Sequence, residues 1–539
     1  MAAGQRRASA HTRTMREKDT LMRPARFSKA LTAGLAVGAL ALTACGAGGD
    51  DATNGGDSGA EGGTEAGTGS ASDANVNIGM FAVPANLDYT TTGGAAVFEA
   101  LLYNVYEGLV RLDADGEVQP LLAESWEISD DGTEYTFQLQ EGVTFHDGTE
   151  FNADIVKFSL ERLDEWSANT PEMLSAVESV EVVDDHEVTV MLSEPDYDAL
   201  FWLAGPLGTM FAPDSVDDLA TEANGTGPFE FVTYENAVRM ELARNDDYWG
   251  EAAGVAGVEL TYFEDASAAA NAIRTGGVDA ILRSEAFDQF ESFEAEEDIE
   301  VHVGSSQGVV VMSMNQEHEA LAEPEVRRAI HTAIDKEAVL AAATAGYGEI
   351  LGGPSVPTDP YFTDFSGTYE YDPAAAEEML ASAGAEDVSL TFNVPNRSYA
   401  EASAQVIQDN LEDVGIEVDL QTQEFPAVWV EENMVNQDFD LAIINHVEPR
   451  NMANYANPDY YWGYDSAQAQ DLFDQAAAAT DDDEYVSTME ELTEVIVEDS
   501  PGAWLYNPPN VGLTTEGISG LPLNDLGVGI DLSDVTVSE

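Results

Sequence analysis

The chain has 539 residues, with 20 Lys and Arg against 102 Asp and Glu, a formal charge of −82. A content of 44% hydrophobic and 9% aromatic residues can fill real cores, which excludes wholesale disorder, and the length implies two or three domains. The charge excludes a general nucleic-acid binder and adsorption to anionic lipid through a basic face, and the single cysteine excludes an internal disulfide or a Cys-rich zinc module.

The charge is unevenly spread. Eight of the basic residues and two of the acids fall within residues 1–44, so residues 45–539 hold 12 and 100, a charge of −88. Arg23, Arg26 and Lys29 precede the apolar run Ala30–Leu42 (ALTAGLAVGALAL), the basic and hydrophobic regions of a secretory signal. That run is too short to cross about 30 Å of hydrocarbon as a mature helix. Met22 is an alternative start, because the signal from there on is complete. The run ends in Leu42-Thr43-Ala44-Cys45, which resembles a bacterial lipobox. The resemblance implies that 1–44 is a lipoprotein signal peptide, cleaved before Cys45, and that Cys45 carries a diacylglycerol. The other reading is an ordinary signal with an incidental cysteine. Residues 45–75 are Gly, Ser, Thr and acids after Cys45, a composition that cannot bury apolar area and predicts a flexible tether.

From Val76 the pattern is mixed α/β. Val76–Phe81 alternates as a strand, and Ala96–Leu109 has helical spacing. Trp126–Leu139 holds an Asp-Gly turn between alternating runs, a hairpin signal. Phe151–Arg162 predicts a helix, and Val177–Leu192 a second hairpin around Asp184-Asp185-His186. Gly225-Thr226-Gly227-Pro228 breaks the chain before the strand pair Phe229–Val232 and Val238–Ala243. A short helix is expected over Ala266–Thr275, a buried strand over Val309–Asn315 and one helix over Glu325–Leu340. Asp372 and Pro373 open a helix to Ala383. Val388–Val394, Tyr399–Val414, Ile416–Gln421, Ala427–Val435 and Phe439–Asn445 then alternate strand and helix, which predicts a parallel-type sheet with covering helices. A helix over Glu484–Val497 and an extended tail close the chain.

Four stretches together resemble the family 5 extracellular solute-binding proteins of ABC importers, the dipeptide, oligopeptide and nickel group. They are Leu122–Arg162, Gly225–Gly250, Val326–Val339 and Tyr371–Gly384, in the family's order. The resemblance implies an α/β, two-lobed periplasmic-binding-protein-like fold of class II, the large type with an extra subdomain in lobe I. Lobe I would be 76–305, with its subdomain at about 112–222, lobe II 306–502, and 503–539 a C-terminal return to lobe I. Val309–Asn315 and Trp504–Tyr506 would be the hinge crossings. The expected partners are a short peptide ligand and the permease and ATPase subunits of the importer. A monomer is expected, held by lipid at the extracytoplasmic face of the membrane.

Arg397 lies between a predicted strand and helix, where open α/β sheets take ligands. In the dipeptide-binding members an Arg-Pro-Tyr segment in this place supplies an arginine to the peptide carboxylate; Arg397 and Tyr399 match it and Ser398 replaces Pro. Pairing of Arg397 with a surface acid is the alternative. Past the strand Phe439–Asn445, Glu448 is the nearest counterpart of the family's ammonium-binding aspartate, in shifted register. Its cation would be a ligand amine or Arg450 two residues on. His446 stands where the family often has Trp and is expected to line the site rather than bind metal. Trp429 matches a pocket tryptophan, with core packing as the alternative. Asn315 offers an amide to the ligand or to a hinge turn. Tyr455, Tyr460, Tyr461 and Trp462 edge the cleft or pack on lobe II.

No G-x-S-x-G elbow, P-loop, H-E-x-x-H or G-x-G-x-x-G after a strand occurs, so an enzyme is not expected and a secreted hydrolase is a distant alternative. No cofactor and no metal site are expected. A nickel or metallophore receptor, using His446 and Arg397 on a chelated anion, and an oligosaccharide receptor are the alternatives within the family. The acidity itself is expected to be an adaptation of a salt-tolerant, high-GC bacterium, since screening relieves self-repulsion. Unfolding followed from low to molar salt should show stability rising with salt; a flat response would leave compositional drift as the explanation.

Overall fold

The computed structural model describes residues 72–168, 177–385 and 388–538, all within the unit Thr68–Glu539. The expected signal peptide 1–44, Cys45 and nearly all of the tether lie outside the described residues. The alternating runs become strands of two main sheets. The first contains β1 (Asn75–Met80), β2 (Phe229–Glu235), β3 (Arg239–Arg244), β4 (Gly257–Tyr262), β5 (Ala280–Ile281) and β6 (Ile299–Gly304). The second contains β7 (Val309–Met314), β8 (Glu349–Ile350), β9 (Ser389–Pro395), β10 (Glu417–Gln423), β11 (Leu441–His446) and β12 (Gly502–Asn507), and β13 (Asn510–Thr515) then returns to the first. The spatial orders are β6-β13-β5-β1-β4-β3-β2 and β8-β12-β7-β11-β9-β10.

β9 runs parallel to both β10 and β11, as the strand–helix alternation predicts, while β7 is antiparallel to β11 and β12. All six residues of β7 and of β12 are buried, because this central pair has helices on both faces. The two hairpins form a separate four-stranded sheet of Ala123–Ile128, Glu134–Leu139, Glu187–Leu192 and Val177–Asp184.

The chain passes between the sheets at 305–308 and 508–509. Val309–Asn315 and Trp504–Tyr506 are therefore not the crossings, since β7 and β12 lie inside the second sheet. Their unbroken apolar sequence marks them as buried central strands. The true crossings are short, polar and joined to each other. Ser306 Oγ donates to Pro508 O at 2.7 Å, and Asn507 Nδ2 donates to Ser306 O and Gly308 O, both at 2.7 Å.

Two expected helices are shorter than their periodicity. The first spans only Ala96–Leu101, because Tyr103 turns left-handed (φ 70°) and the Asn104 amide donates to Ala100 O and Ile530 O. The stretch Glu325–Leu340 divides into α1 (Pro324–Thr332) and α2 (Lys336–Thr344), because Asp335 caps a new start by accepting from Ala338 N. The expected α3 (Pro373–Ala383) has its Asp372 cap, its first-turn proline and Gly384 at φ 71° after its end. α4 (Ser398–Asp413) joins β9 to β10. α5 (Ala467–Ala477), absent from the sequence reading, packs beside α6 (Asp482–Asp499).

Glu107 ties three separate segments of the first lobe. Its carboxyl accepts from Tyr248 Oη (2.6 Å), Thr226 Oγ1 (2.7 Å) and Trp249 Nε1 (3.0 Å). Burial raises its pKa to about 7 against the ordinary 4.5, although the three donors pull the other way. The folded chain therefore keeps a proton that the unfolded chain has released, so this group's contribution to stability is complete below about pH 4.5 and is lost as pH rises through about 7. Glu107→Gln should flatten the stability profile across that window, by up to about 3 kcal/mol in denaturant unfolding. Glu107→Ala, which leaves three donors unpaired, should cost about 2–4 kcal/mol at any pH.

Candidate functional site

β9 and β11 run parallel in register Phe392↔Leu441, so the segment after Pro395 and the loop after His446 leave the sheet at the same edge. Tyr399, in the first turn of α4, binds them together: its hydroxyl accepts from Asn445 N at 2.9 Å. Burial raises the Tyr399 pKa, against the Asn445 bond and the nearby Arg397 charge. Asn396 fixes the neighbouring loop by accepting from Phe425 N at 2.8 Å.

Arg397 is exposed at this edge. Its guanidinium lies 5.3 Å from the centre of the Phe425 ring and has no oxygen partner among the described residues. No other basic residue after residue 44 is in that position. Eight pair with carboxylates: Arg111, Lys157, Arg162, Arg239, Arg244, Arg274, Arg283 and Arg450. Arg327, Arg328 and Lys336 donate to backbone carbonyls. The alternative that Arg397 pairs with a surface acid is not what the structure contains.

His446 is buried, with Nε2 3.1 Å from Tyr461 Oη and Nδ1 3.4 Å from Glu448 Oε2. Tyr461 in turn bonds Ser313 at 2.6 Å. Glu448 has half its side chain in solvent. Burial of the rest pushes its carboxyl up, but His446 and the backbone N–H groups of Val447 and Glu448 outweigh this, and its pKa lies below the ordinary value. Its partner is thus His446 and not Arg450. Arg450 reaches into the first lobe, to Asp198.

Two expected ligand residues are elsewhere. Trp429 is fully buried against Phe425 and Tyr461, so it backs the wall and does not form its surface. Asn315 follows the far end of β7: the register Val309↔His446 and Met314↔Leu441 puts it at the opposite edge of the sheet. There its amide donates to Phe439 O (2.9 Å) and Gln437 O (3.2 Å), and it lines a separate cavity of about 290 Å³ with His318 and Asp440. Tyr455, Tyr461 and Trp462 are buried in the second lobe, while Tyr460 is partly exposed beside His446. Among the described residues no cluster of three or more His, Cys, Asp or Glu is arranged to hold a metal ion.

The first lobe has a cavity of about 320 Å³ against the C-terminal tail, lined by Tyr103, Arg111, Leu282, Arg283, Asp525 and Asp531. Arg283 has left-handed backbone (φ 54°), and its guanidinium donates to Glu99 and, at 2.9 Å, to Asp525. The tail that lines the cavity also meets the second-lobe loop, since a β-carbon on Gly527 would come within 3.1 Å of Pro449. Arg283 was missed in the sequence; its rarity as a basic residue is the only signal it carries there. At the second-lobe edge the arrangement offers one cation without an oxygen partner among the described residues and one half-exposed carboxylate.

Comparison with known proteins agrees. Residues 117–462 match the family model described as bacterial extracellular solute-binding proteins, family 5 Middle. The oligopeptide-binding protein AppA of Bacillus subtilis is 27% identical over 473 residues, covering 80% of this chain and 85% of that one. The glutathione-binding protein GsiB of Salmonella typhi is 29% identical over 334 residues, 59% of this chain and 64% of that one. A nickel ABC transporter structure from Bacillus halodurans superposes with a TM-score of 0.75 at 26% identity, covering 86% of this chain and 100% of that one. The chain belongs to the bacterial extracellular solute-binding proteins of family 5, two-lobed binding components of ABC importers.

Proposed function

We propose that the protein captures short peptides between its lobes and delivers them to an ABC permease, working from a lipid anchor at Cys45. The observation that carries this reading is the unpaired Arg397 guanidinium at the same sheet edge as the accessible Glu448 carboxylate. In a chain so rich in acid, a cation without an oxygen partner is available to a ligand anion. A guanidinium matches a carboxylate with two parallel hydrogen bonds, and a carboxylate matches an ammonium. A zwitterionic peptide presents both groups. The likeness to an oligopeptide-binding and a glutathione-binding protein supports the same class.

A nickel chelate is the second reading, supported by the likeness to a nickel transporter protein. Against it, both ring nitrogens of His446 already face protein oxygens. Calorimetry with dipeptides and with nickel complexes separates the two.

Arg397→Ala should weaken binding of free dipeptides by about tenfold or more and of C-terminally amidated ones far less. Equal losses would remove the carboxylate role. Glu448→Gln should weaken free peptides and leave the already poor binding of N-acetylated peptides unchanged; undiminished binding of N-acetylated peptides to the unaltered protein would end that assignment.

A further inference from the structure

The cleft carries a second contact between lobes, far in sequence from the crossings. The segment Asp196–Asp198 follows the hairpin sheet of the first lobe and is held to it by Tyr135 Oη, which donates to Asp196 O at 2.9 Å. Its other side is docked on the second lobe. Tyr197 N donates to Ala477 O at 3.1 Å, at the end of α5. The Tyr197 ring stacks on Tyr485 of α6, with centres 4.6 Å apart and planes 21° apart, and its hydroxyl donates to Asp482. The Asp198 carboxylate accepts from Arg450 and, at 2.8 Å, from Tyr485 Oη. The Arg450 guanidinium also lies 4.0 Å from the centre of the Phe201 ring, in the first lobe.

Arg450 belongs to the loop that carries His446 and Glu448. Its backbone is left-handed (φ 50°), a strained state for a residue with a β-carbon, and persists only where surroundings impose it. The surroundings come from both lobes: Asp198 and Phe201 of the first lobe and Tyr485 and Tyr361 of the second around the guanidinium, and Gly527 of the first lobe against the preceding Pro449. The 446–450 loop is thus held from both sides, by His446 on Tyr461 within its own lobe and by Asp198 and Phe201 of the opposite lobe at Arg450.

We propose that this junction is a latch: when the lobes meet, Asp198 seats between Arg450 and Tyr485, and the same event sets the loop that presents Glu448. Asp198 and Arg450 are positioning residues, acting on the ligand through that loop. The latch works with the polar crossings at 305–308 and 508–509, which permit rotation, and it favours closure before any ligand enters. It goes beyond the peptide reading, because it concerns how the lobes meet and not what they enclose.

The test uses the ligand-free full chain and the variants Arg450→Gln, Asp198→Asn and Tyr485→Phe. Small-angle scattering should show a larger radius of gyration for the first two. Hydrogen exchange over 446–452 should accelerate at least tenfold in all three. The double variant Arg450→Gln with Asp198→Asn should exceed neither single. Should the charge variants fail to fold, Tyr485→Phe, which removes one hydroxyl, still gives the exchange reading. Unchanged scattering and exchange, or effects that add in the double variant, would overturn the latch. With alanyl-phenylalanine as probe, dissociation should quicken about tenfold in Arg450→Gln while association stays the same. If the unaltered protein binds no peptide, the peptide reading falls and the ligand-free scattering still decides the latch.

Discussion

Twelve basic side chains must serve a body that carries 100 carboxyl groups, and their placement organises the molecule. Arg327 gathers four carbonyls, those of Leu321, Ala322, Asp499 and Ser500, and so fixes the end of α6 where the helix leaves unsatisfied C=O groups. Arg283 joins the tail to the helix bearing Glu99, and Arg450 joins the two lobes. Arginine suits such work because its planar fork donates to several acceptors at once and stays charged when buried. With so few cations, each junction depends on a single guanidinium: removal of Arg283 would leave the Glu99 and Asp525 carboxylates without it, and removal of Arg327 would strand four carbonyls.

The division into lobes follows from where apolar area is concentrated. Two cores lie against the first sheet, the larger reaching the hairpin subdomain, and two lie on the faces of the second sheet around β7 and β12. Between the lobes the contacts are hydrogen bonds, ion pairs and a few ring contacts, such as Tyr197 on Tyr485 and Phe290 against Tyr347, and at 305–308 and 508–509 the bonds run to backbone carbonyls of the crossings themselves. The bonds at the crossings join the two hinge segments to each other, whereas those of Asp198 with Arg450 and Tyr485 join one lobe to the other. A ligand shifts such a hinge further towards closure only by binding the closed form better than the open one.

Most of the fold was legible because local signals and tertiary context agree. The two hairpins, the Asp372–Pro373 helix start and the parallel alternation from Ser389 to His446 carry period, cap and turn residues that point one way. The sequence misled where a distant residue intervenes. The helix after Ala96 stops because Ile530 is there for Asn104 to hold, and the crossings were mistaken for β7 and β12 because a buried central strand and an interlobe strand are equally apolar. At the site, Arg397, Tyr399, His446 and Glu448 share one edge because β9 and β11 are parallel, whereas Asn315 was lost because β7 runs the other way. Nothing local distinguishes Arg450 from Arg397; only the partner 252 residues away does.

The long-range field constrains the ligand as strongly as the contacts do. A body of charge −88 repels an approaching anion, and this repulsion extends over the Debye length, about 10 Å at 0.1 M salt and about 3 Å at 1 M. An anionic chelate would meet it with its whole charge. A zwitterion feels little net force until it is within reach of Arg397, whose guanidinium has no oxygen partner among the described residues. The same field that makes an unpaired arginine conspicuous therefore favours, among ligands bearing a carboxylate, those that also bring a compensating ammonium, and Glu448 with its depressed pKa is ionised to receive it.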